Sequence, residues 1–170
     1  SFYIRGLEHF VLCPGSRSAP LALAVEALAK EGLVKLTTAI DERSAAFCAL
    51  GHSTSKGIAS AVITTSGTAV ANLLPAAVEA DRSCQPLLFI TADRPYRLKE
   101  SGANQTVNQE DFLKSVCRGF FQGPKDGIHL FELIQVDTFV EEIWNTSHSF
   151  PGPVHLNLAL EEPLHPSSRE

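Results

Sequence analysis

Three charged residues stand where apolar runs of the sequence give way to helical patterns: Arg17, Glu42 and Arg94. The guanidinium group of an arginine is a planar fork of N–H donors that suits a carboxylate. A glutamate in the first turn of a helix, where that turn faces a cleft, can act as a general acid or base. Together these residue types predict a site that binds a small polyanionic molecule and transfers a proton.

Further loops carry polar groups that would complete such a site. The turn Thr65–Ser66–Gly67 offers hydroxyl groups and backbone amides before a predicted helix, and Ser16 lies in a similar turn. Segment 102–109 places four amide side chains, including those of Asn104 and Gln105, behind a glycine. Amides both donate and accept hydrogen bonds. Taken alone, most of these loops are better explained by a capped turn or a polar surface, so only their combination favours a site.

The rest of the chain alternates between short apolar runs and helical patterns, which predicts the elements that position these loops. The predicted strands are 9–13, 35–40, 59–64, 87–91, 118–122 and 154–158. The predicted helices are 19–32, 41–53, 68–80, 112–116 and 130–147, with Ser18 and Asp41 as N-caps. This order predicts a three-layer α/β/α fold, doubly wound around a mostly parallel sheet of about six strands. Ligands bind beyond the carboxyl ends of such strands, where the polar loops lie.

The composition is that of one ordinary domain. The 170 residues are 44% hydrophobic and 19% charged, with a formal net charge of −5, which gives no electrostatic footprint for nucleic acid. No apolar run approaches the roughly 20 residues of a membrane helix. The four cysteines form no C-x-x-C pair, so we expect no metal site. Three of them (Cys13, Cys48 and Cys117) lie in apolar stretches and are predicted to be buried.

Five blocks of sequence resemble one enzyme family, in the same order and with similar spacing. They are Cys-Pro-Gly-Ser-Arg-Ser-Ala-Pro-Leu (13–21), Asp-Glu-Arg-Ser-Ala (41–45), Thr-Ser-Gly-Thr-Ala-Val-Ala-Asn-Leu (65–73), Thr-Ala-Asp-Arg-Pro (91–95) and Gly-Ala-Asn-Gln-Thr (102–106). The family is 2-succinyl-5-enolpyruvyl-6-hydroxy-3-cyclohexene-1-carboxylate synthase, the MenD family of menaquinone and phylloquinone biosynthesis. The resemblance covers about residues 8 to 163.

The resemblance implies a thiamine diphosphate-dependent transferase. Such enzymes decarboxylate 2-oxoglutarate on the cofactor and add the product to isochorismate. By this resemblance Glu42 is the catalytic glutamate that hydrogen-bonds the aminopyrimidine ring, and the turn 65–67 also contacts the cofactor. The residues that resemble the isochorismate-binding set are Ser16, Arg17, Arg94, Asn104 and Gln105.

The family pattern also has parts that the sequence does not match. No Gly-Asp-Gly motif is present, so the resemblance implies that Mg²⁺ and the diphosphate are held by a C-terminal domain outside this chain. Residues 1–163 are then the N-terminal pyrimidine-binding domain with its first helix truncated, and 164–170 begin a linker. We expect the chain alone to be inactive. The complete protein should be a homodimer or homotetramer in the cytoplasm, or in the plastid stroma of a plant.

Two alternatives stay open at this point. The chain could be the pyrimidine-binding domain of another thiamine diphosphate-dependent decarboxylase or synthase, sharing only Glu42 and the Ala-rich helix that follows it. It could also be a non-catalytic α/β module that binds an anion. The pairing of Arg17 and Arg94 with Asn104 and Gln105 favours the synthase.

Overall fold

The computed structural model describes residues 1–125 and 127–165. The strands are β1 (His9–Leu12), β2 (Lys35–Thr38), β3 (Ser60–Thr64), β4 (Leu87–Asp93), β5 (Gly119–Gln122) and β6 (Pro153–Ala159). The helices are α1 (Ala19–Lys30), α2 (Glu42–Lys56), α3 (Thr68–Ala71), α4 (Leu74–Arg82) and α5 (Leu133–Ser149). Short 3₁₀ turns lie at Tyr3–Arg5, Tyr96–Leu98, Gln109–Asp111 and Ile128–Leu130.

The six strands form one sheet in the order β2-β1-β3-β4-β6-β5, and every pairing is parallel. The predicted α/β fold with about six strands is therefore confirmed. Strand β2 lies on one side of β1, and all later strands lie on the other side, so the direction of strand addition reverses at β1. All carboxyl ends of the strands meet at one edge, and the loops that leave this edge hold the residues predicted to bind ligands.

Helices cover both faces of the sheet, which gives the three layers. On one face the alanines of α2 and α4, such as Ala49 and Ala77, pack on Val62 and Phe89. Small side chains let these two helices approach the sheet closely. On the other face Val25 of α1 and Ile143 of α5 belong to the cluster around the remaining strand residues. Strands β1, β3 and β4 are buried along their whole length, as expected of a parallel sheet covered on both sides.

Local signals explain where α2 begins and ends. Asp41 is its N-cap, and its side chain accepts a hydrogen bond from the backbone N–H of Ser44 at 2.7 Å. Gly57 ends the helix in the left-handed conformation with φ +69°. The N-cap predicted at Asp41 is thus confirmed. Ser18 is the N-cap of α1 by position, but its hydroxyl donates to the Gly15 carbonyl and caps no helical N–H.

Some boundaries differ from the sequence-based prediction. The helix predicted over 68–80 is two helices separated at Asn72 and Leu73, because Pro75 in the first turn of α4 has no N–H to continue the ladder. The helix predicted over 112–116 is absent. A 3₁₀ turn precedes it at Gln109–Asp111, and residues up to Cys117 follow in hydrogen-bonded turns. Cys48, predicted to be buried, is exposed on the outer side of α2, and Cys117 is half-buried.

Within the described ranges, no helix has both the length and the apolar character needed to cross a membrane.

Candidate functional site

Three loops at the carboxyl edge of the sheet touch one another. A Cβ atom placed on Gly15 would overlap the Cβ of Thr65, so the turn before α1 abuts the turn after β3. A Cβ atom on Gly67 would lie 3.2 Å from Cβ of Gln105, so the same turn also abuts the long loop after β4. The structure therefore brings the loops around residues 15, 65–67 and 105 together, as expected from their places in a parallel sheet.

Glu42 is the first residue of α2 and is half-buried at this edge. Its Oε2 accepts a hydrogen bond from Nδ2 of Asn72 at 3.0 Å. Asn72 follows α3, the short helix that begins directly after the turn 65–67. One side-chain hydrogen bond therefore ties the carboxyl group to the C-terminal end of α3.

Cys13 lies near the same carboxylate at the end of β1. Burial raises the pKa of its thiol to about 12, and the negative charges of Glu42 and Asp41 add to the effect. The thiol is therefore protonated at neutral pH and is no nucleophile.

Arg17 is almost fully buried and is tied to the segment that leaves β6. Its Nη1 donates to the Leu160 carbonyl at 2.9 Å, and its Nη2 donates to Oε1 of Glu162 at 3.1 Å. Its Nε has no partner in the part of the chain that the structure describes. Arg17, which the sequence predicts to bind a ligand, thus holds one carboxylate of its own chain.

Arg94 follows β4 and is half-buried, and its Nε is likewise buried without a partner among the described residues. The two arginines belong to the same part of the edge, because Leu160 accepts from Arg17 and donates its N–H to the Asp93 carbonyl at 3.1 Å. A groove of about 620 Å³ lies there. It is lined by Pro20, Pro95, Lys125, Gly127, Ile128, His129 and residues 159–163.

The remaining predicted residues differ in exposure. Ser16, Asn104 and Gln105 are exposed, and Gln105 has a positive φ of +56°. Ser66 and Gly67 are buried and Thr65 is half-buried. The hydroxyl of Ser66 is buried without a hydrogen-bond partner in residues 1–125 and 127–165. Since a buried polar atom without a partner is costly, such atoms at this edge fit a site that a polar ligand completes.

Sequence reasoning missed a buried polar network that underlies these loops. Asn157 of β6 donates to Oδ2 of Asp93 at 2.8 Å and accepts from Thr91 and Gln109. Lys99 pairs with both Asp93 and Glu110 and so ties the loop after β4 to that strand. A signal was present in the sequence, because polar residues interrupt the apolar runs of β4 and β6. No local pattern shows that they meet across the sheet.

The edge suits part of a thiamine diphosphate site. A glutamate, buried hydroxyls and a glycine turn fit the aminopyrimidine end of the cofactor. Within the described ranges, no group of three or more His, Cys, Asp or Glu residues could hold a metal ion. The residues present at this edge therefore fit the ring end of the cofactor.

Comparison with known proteins identifies relatives of the chain. The family model for the N-terminal TPP binding domain of thiamine pyrophosphate enzymes matches residues 4–114. Proteins named 2-succinyl-5-enolpyruvyl-6-hydroxy-3-cyclohexene-1-carboxylate synthase are similar along the chain. The one from Prochlorococcus marinus (strain MIT 9303) is 67% identical over 165 residues, covering 97% of this chain and 28% of that protein.

Two other synthases of the same name give a similar picture. The protein of Prochlorococcus marinus (strain NATL1A) is 65% identical, covering 95% of this chain and 27% of its own length. That of Synechococcus sp. (strain WH7803) is 63% identical, covering 98% of this chain and 29% of its own. The chain thus spans less than a third of the length of these relatives.

Proposed function

We propose that this chain, which belongs to the family of N-terminal TPP binding domains of thiamine pyrophosphate enzymes, is the pyrimidine-binding domain of a 2-succinyl-5-enolpyruvyl-6-hydroxy-3-cyclohexene-1-carboxylate synthase. The complete protein decarboxylates 2-oxoglutarate and joins the resulting succinyl semialdehyde unit to isochorismate. The proposal is supported by 67% identity to a synthase of that name and by the five matching blocks of sequence.

The observation that carries the proposal is the position of Glu42, half-buried at the start of α2 and bonded to Asn72, which α3 joins to the turn 65–67. Thiamine diphosphate supplies, when bound, a thiazolium carbon that acts as the nucleophile and a ring system that takes up electrons. Glu42 would hold the ring nitrogen of the aminopyrimidine through a hydrogen bond and would supply or accept a proton at that atom, as a positioned acid or base does. The turn Thr65–Ser66–Gly67 would hold the same ring.

Isochorismate carries two carboxylates, and the edge offers Arg17 and Arg94 for them. Arg17 already holds the carboxylate of Glu162. Substrate binding at Arg17 therefore exchanges one carboxylate for another, so the buried guanidinium is never left without an anion. Ser16, Asn104 and Gln105 are exposed at the rim and supply further hydrogen bonds.

Other parts of the complete protein supply what this chain does not. Mg²⁺ and the diphosphate are held by a C-terminal domain beyond these 170 residues. The enzyme is a homodimer or homotetramer in the cytoplasm. This assembly is supported by exposed apolar side chains on α2, on α4 and in the loop before α2, namely Phe47, Leu74, Val78 and Ile40. The cytoplasmic location is supported by the bacterial relatives.

Turnover of the complete protein tests the proposal. Given 2-oxoglutarate, thiamine diphosphate and Mg²⁺, it should consume isochorismate much faster than simple aldehydes as the acceptor. Preference for an aldehyde would instead identify another thiamine diphosphate-dependent decarboxylase or synthase. No turnover with any acceptor, and no effect of Glu42→Gln on ligand binding, would favour a non-catalytic anion-binding module.

A further inference from the structure

Gln109 is a fully buried amide beneath the loops of the carboxyl edge. We propose that it is a positioning residue. Its hydrogen bonds fix the turn 65–67, and through it Gln105, in the position that the cofactor requires. The inference rests on the proposed function, since that turn is the part of the chain assigned to the aminopyrimidine ring. Gln109 acts through the turn and makes no contact with a ligand of its own.

The hydrogen bonds of Gln109 fix the orientation of its amide. Oε1 accepts from the backbone N–H of Gly67 at 2.9 Å. Nε2 donates to the carbonyl of Ala92 at 3.1 Å and to Oδ1 of Asn157 at 2.8 Å. In the flipped amide Nε2 would face the N–H of Gly67, and Oε1 would face two acceptors. The side chain therefore has a single satisfied arrangement.

Asn157, a hydrogen-bond partner of Gln109, is itself held in place. The Gln109 amide is therefore fixed relative to both β4 and β6. Asn157 accepts from the Thr91 hydroxyl at 2.8 Å, donates to Asp93 at 2.8 Å and donates to Oε1 of Gln122 at 3.1 Å. A buried network in which the members are paired is rigid, because any shift breaks several bonds in a medium of low dielectric. Because Gln109 bonds to both strands and to Gly67, it holds the turn 65–67 in a fixed position relative to β4 and β6.

The turn at Gly67 has little room to adjust. Its φ of +84° and ψ of −138° lie in a region that residues with a side chain rarely adopt. Its Cα packs so closely on Gln105 that an added Cβ would lie 3.3 Å from the Gln105 Cα and carbonyl oxygen. If the hydrogen bond to Gly67 is lost, the turn and Gln105 shift together. One buried amide thus sets a residue assigned to the cofactor and one assigned to isochorismate.

Gln122 provides a matched control. It also bonds to Asn157, donating to its backbone carbonyl at 3.2 Å and accepting from its Nδ2 at 3.1 Å. It lies on the edge strand β5, and in the described part of the chain no hydrogen bond joins it to Gly67. Replacement of either glutamine by methionine keeps the length of the side chain and removes its bonds to Asn157. Only Gln109→Met also leaves the Gly67 N–H without its acceptor.

The test is thiamine diphosphate binding by the complete protein, compared between Gln109→Met and Gln122→Met. We expect the apparent dissociation constant to rise about tenfold or more for Gln109→Met, since a buried N–H loses its partner, and to change less than about twofold for Gln122→Met. Hydrogen exchange at residues 65–68 should accelerate in the first variant alone. Equal changes in both variants, or wild-type binding and exchange in Gln109→Met, would overturn the proposal.

The wild-type protein gives a second test, in case Gln109→Met does not fold. Before cofactor is added, the amide of Gly67 should exchange as slowly as the amides of β3, and rapid exchange would contradict the proposal. Neither measurement needs isochorismate or 2-oxoglutarate. A protein that binds the cofactor but fails to convert isochorismate therefore refutes the proposed substrate and leaves the role of Gln109 standing.

Discussion

The two ends of the same parallel sheet treat their polar groups differently. At the amino end the polar side chains satisfy one another: His9 lies within hydrogen-bond distance of Ser60 and Thr37, and the Ser53 hydroxyl donates to the Pro86 carbonyl. At the carboxyl end Thr64, Ser66, Arg17 and Arg94 each have a buried polar atom without a partner among the described residues. The amino ends of the strands thus carry polar groups that bond to one another, whereas the carboxyl ends carry polar groups suited to a ligand.

Two atoms qualify this contrast. Nε of Arg118, at the amino end, and Nδ1 of His155, within β6, are also buried without partners in the ranges that the structure describes. The guanidinium of Arg118 is nevertheless paired through its other nitrogens with Asp81. His155 donates through Nε2 to the Thr91 hydroxyl oxygen, 2.8 Å away, because the Thr91 proton is already donated to Asn157. Each therefore belongs to a paired group. Arg17 is paired in the same way through Nη1 and Nη2, so the contrast rests on Thr64, Ser66 and Arg94 at the carboxyl end.

The largest effect that we predict is a loss of stability in mild acid, at the amino end and in the middle of the sheet. Burial lowers the pKa of both His9 and His155 to about 4 from a usual value near 6.5. The unfolded state therefore binds more protons between these values, so stability is complete above pH 6.5 and falls as the pH drops toward 4. For the fully buried His155 the loss should approach about 3 kcal/mol.

Thermal unfolding of the complete protein between pH 7 and pH 4.5 checks this prediction. Acidic groups with lowered pKa, such as Asp41 and Asp137, lose their contribution only at lower pH, so this range isolates the histidines. His155→Leu should flatten the pH dependence, whatever it does to stability at pH 7. An unchanged slope in that variant would show that His155 is not neutral in the folded protein.

Arg94 and Arg118 lie at opposite ends of the sheet, and each has a buried Nε without a partner among the described residues. Arg94→Ala, at the carboxyl end, should raise the apparent Michaelis constant for isochorismate by about tenfold to a hundredfold, because a charge-assisted contact of roughly 1.5–3 kcal/mol is lost. The constant for 2-oxoglutarate should change less. Arg118→Ala, at the amino end, should cost stability through its ion pair with Asp81 and leave both constants unchanged.

Steady-state kinetics of the two variants decide the point. If Arg94→Ala affects both substrates equally, Arg94 does not select isochorismate. An Arg118→Ala enzyme with the same kinetic defect would show that the two ends are not functionally distinct. Arg17→Ala is a less direct test, because its loss also releases Leu160 and Glu162.

The smallest effect that we predict comes from two glycines with positive φ. Gly57→Ala, at the end of α2, places a Cβ in open space and should cost about 1 kcal/mol for the left-handed backbone alone. Gly67→Ala also meets Gln105, so the cost should be about 2 kcal/mol. Chemical denaturation measures both. Cofactor affinity should fall only in Gly67→Ala, and equal affinities would remove the turn from the cofactor site.

Local patterns in the sequence predicted most of the fold. The cap at Asp41 and the apolar strands were readable because their signals lie within a few residues. The contact of Arg17 with Glu162 could not be predicted, because 145 positions of sequence separate the two residues. Gln109 was noticed only as one amide in a polar segment, because its partners lie on β4, on β6 and in the turn after β3. The exposure of Phe47 and Cys48 was not predicted, because the Ala-rich sequence of α2 does not show which of its apolar residues lie on the outer face.

The most direct test of the account is exchange of the thiazolium C2 proton of bound thiamine diphosphate for deuterium, measured in the complete protein after rapid acid quench. Glu42→Gln, at the carboxyl end, should slow this exchange by about 10²-fold or more, the usual contribution of a positioned acid or base. Glu8→Gln, just before β1 at the amino end, should leave it unchanged. Wild-type exchange in Glu42→Gln would contradict the assignment of Glu42 as the residue that activates the cofactor.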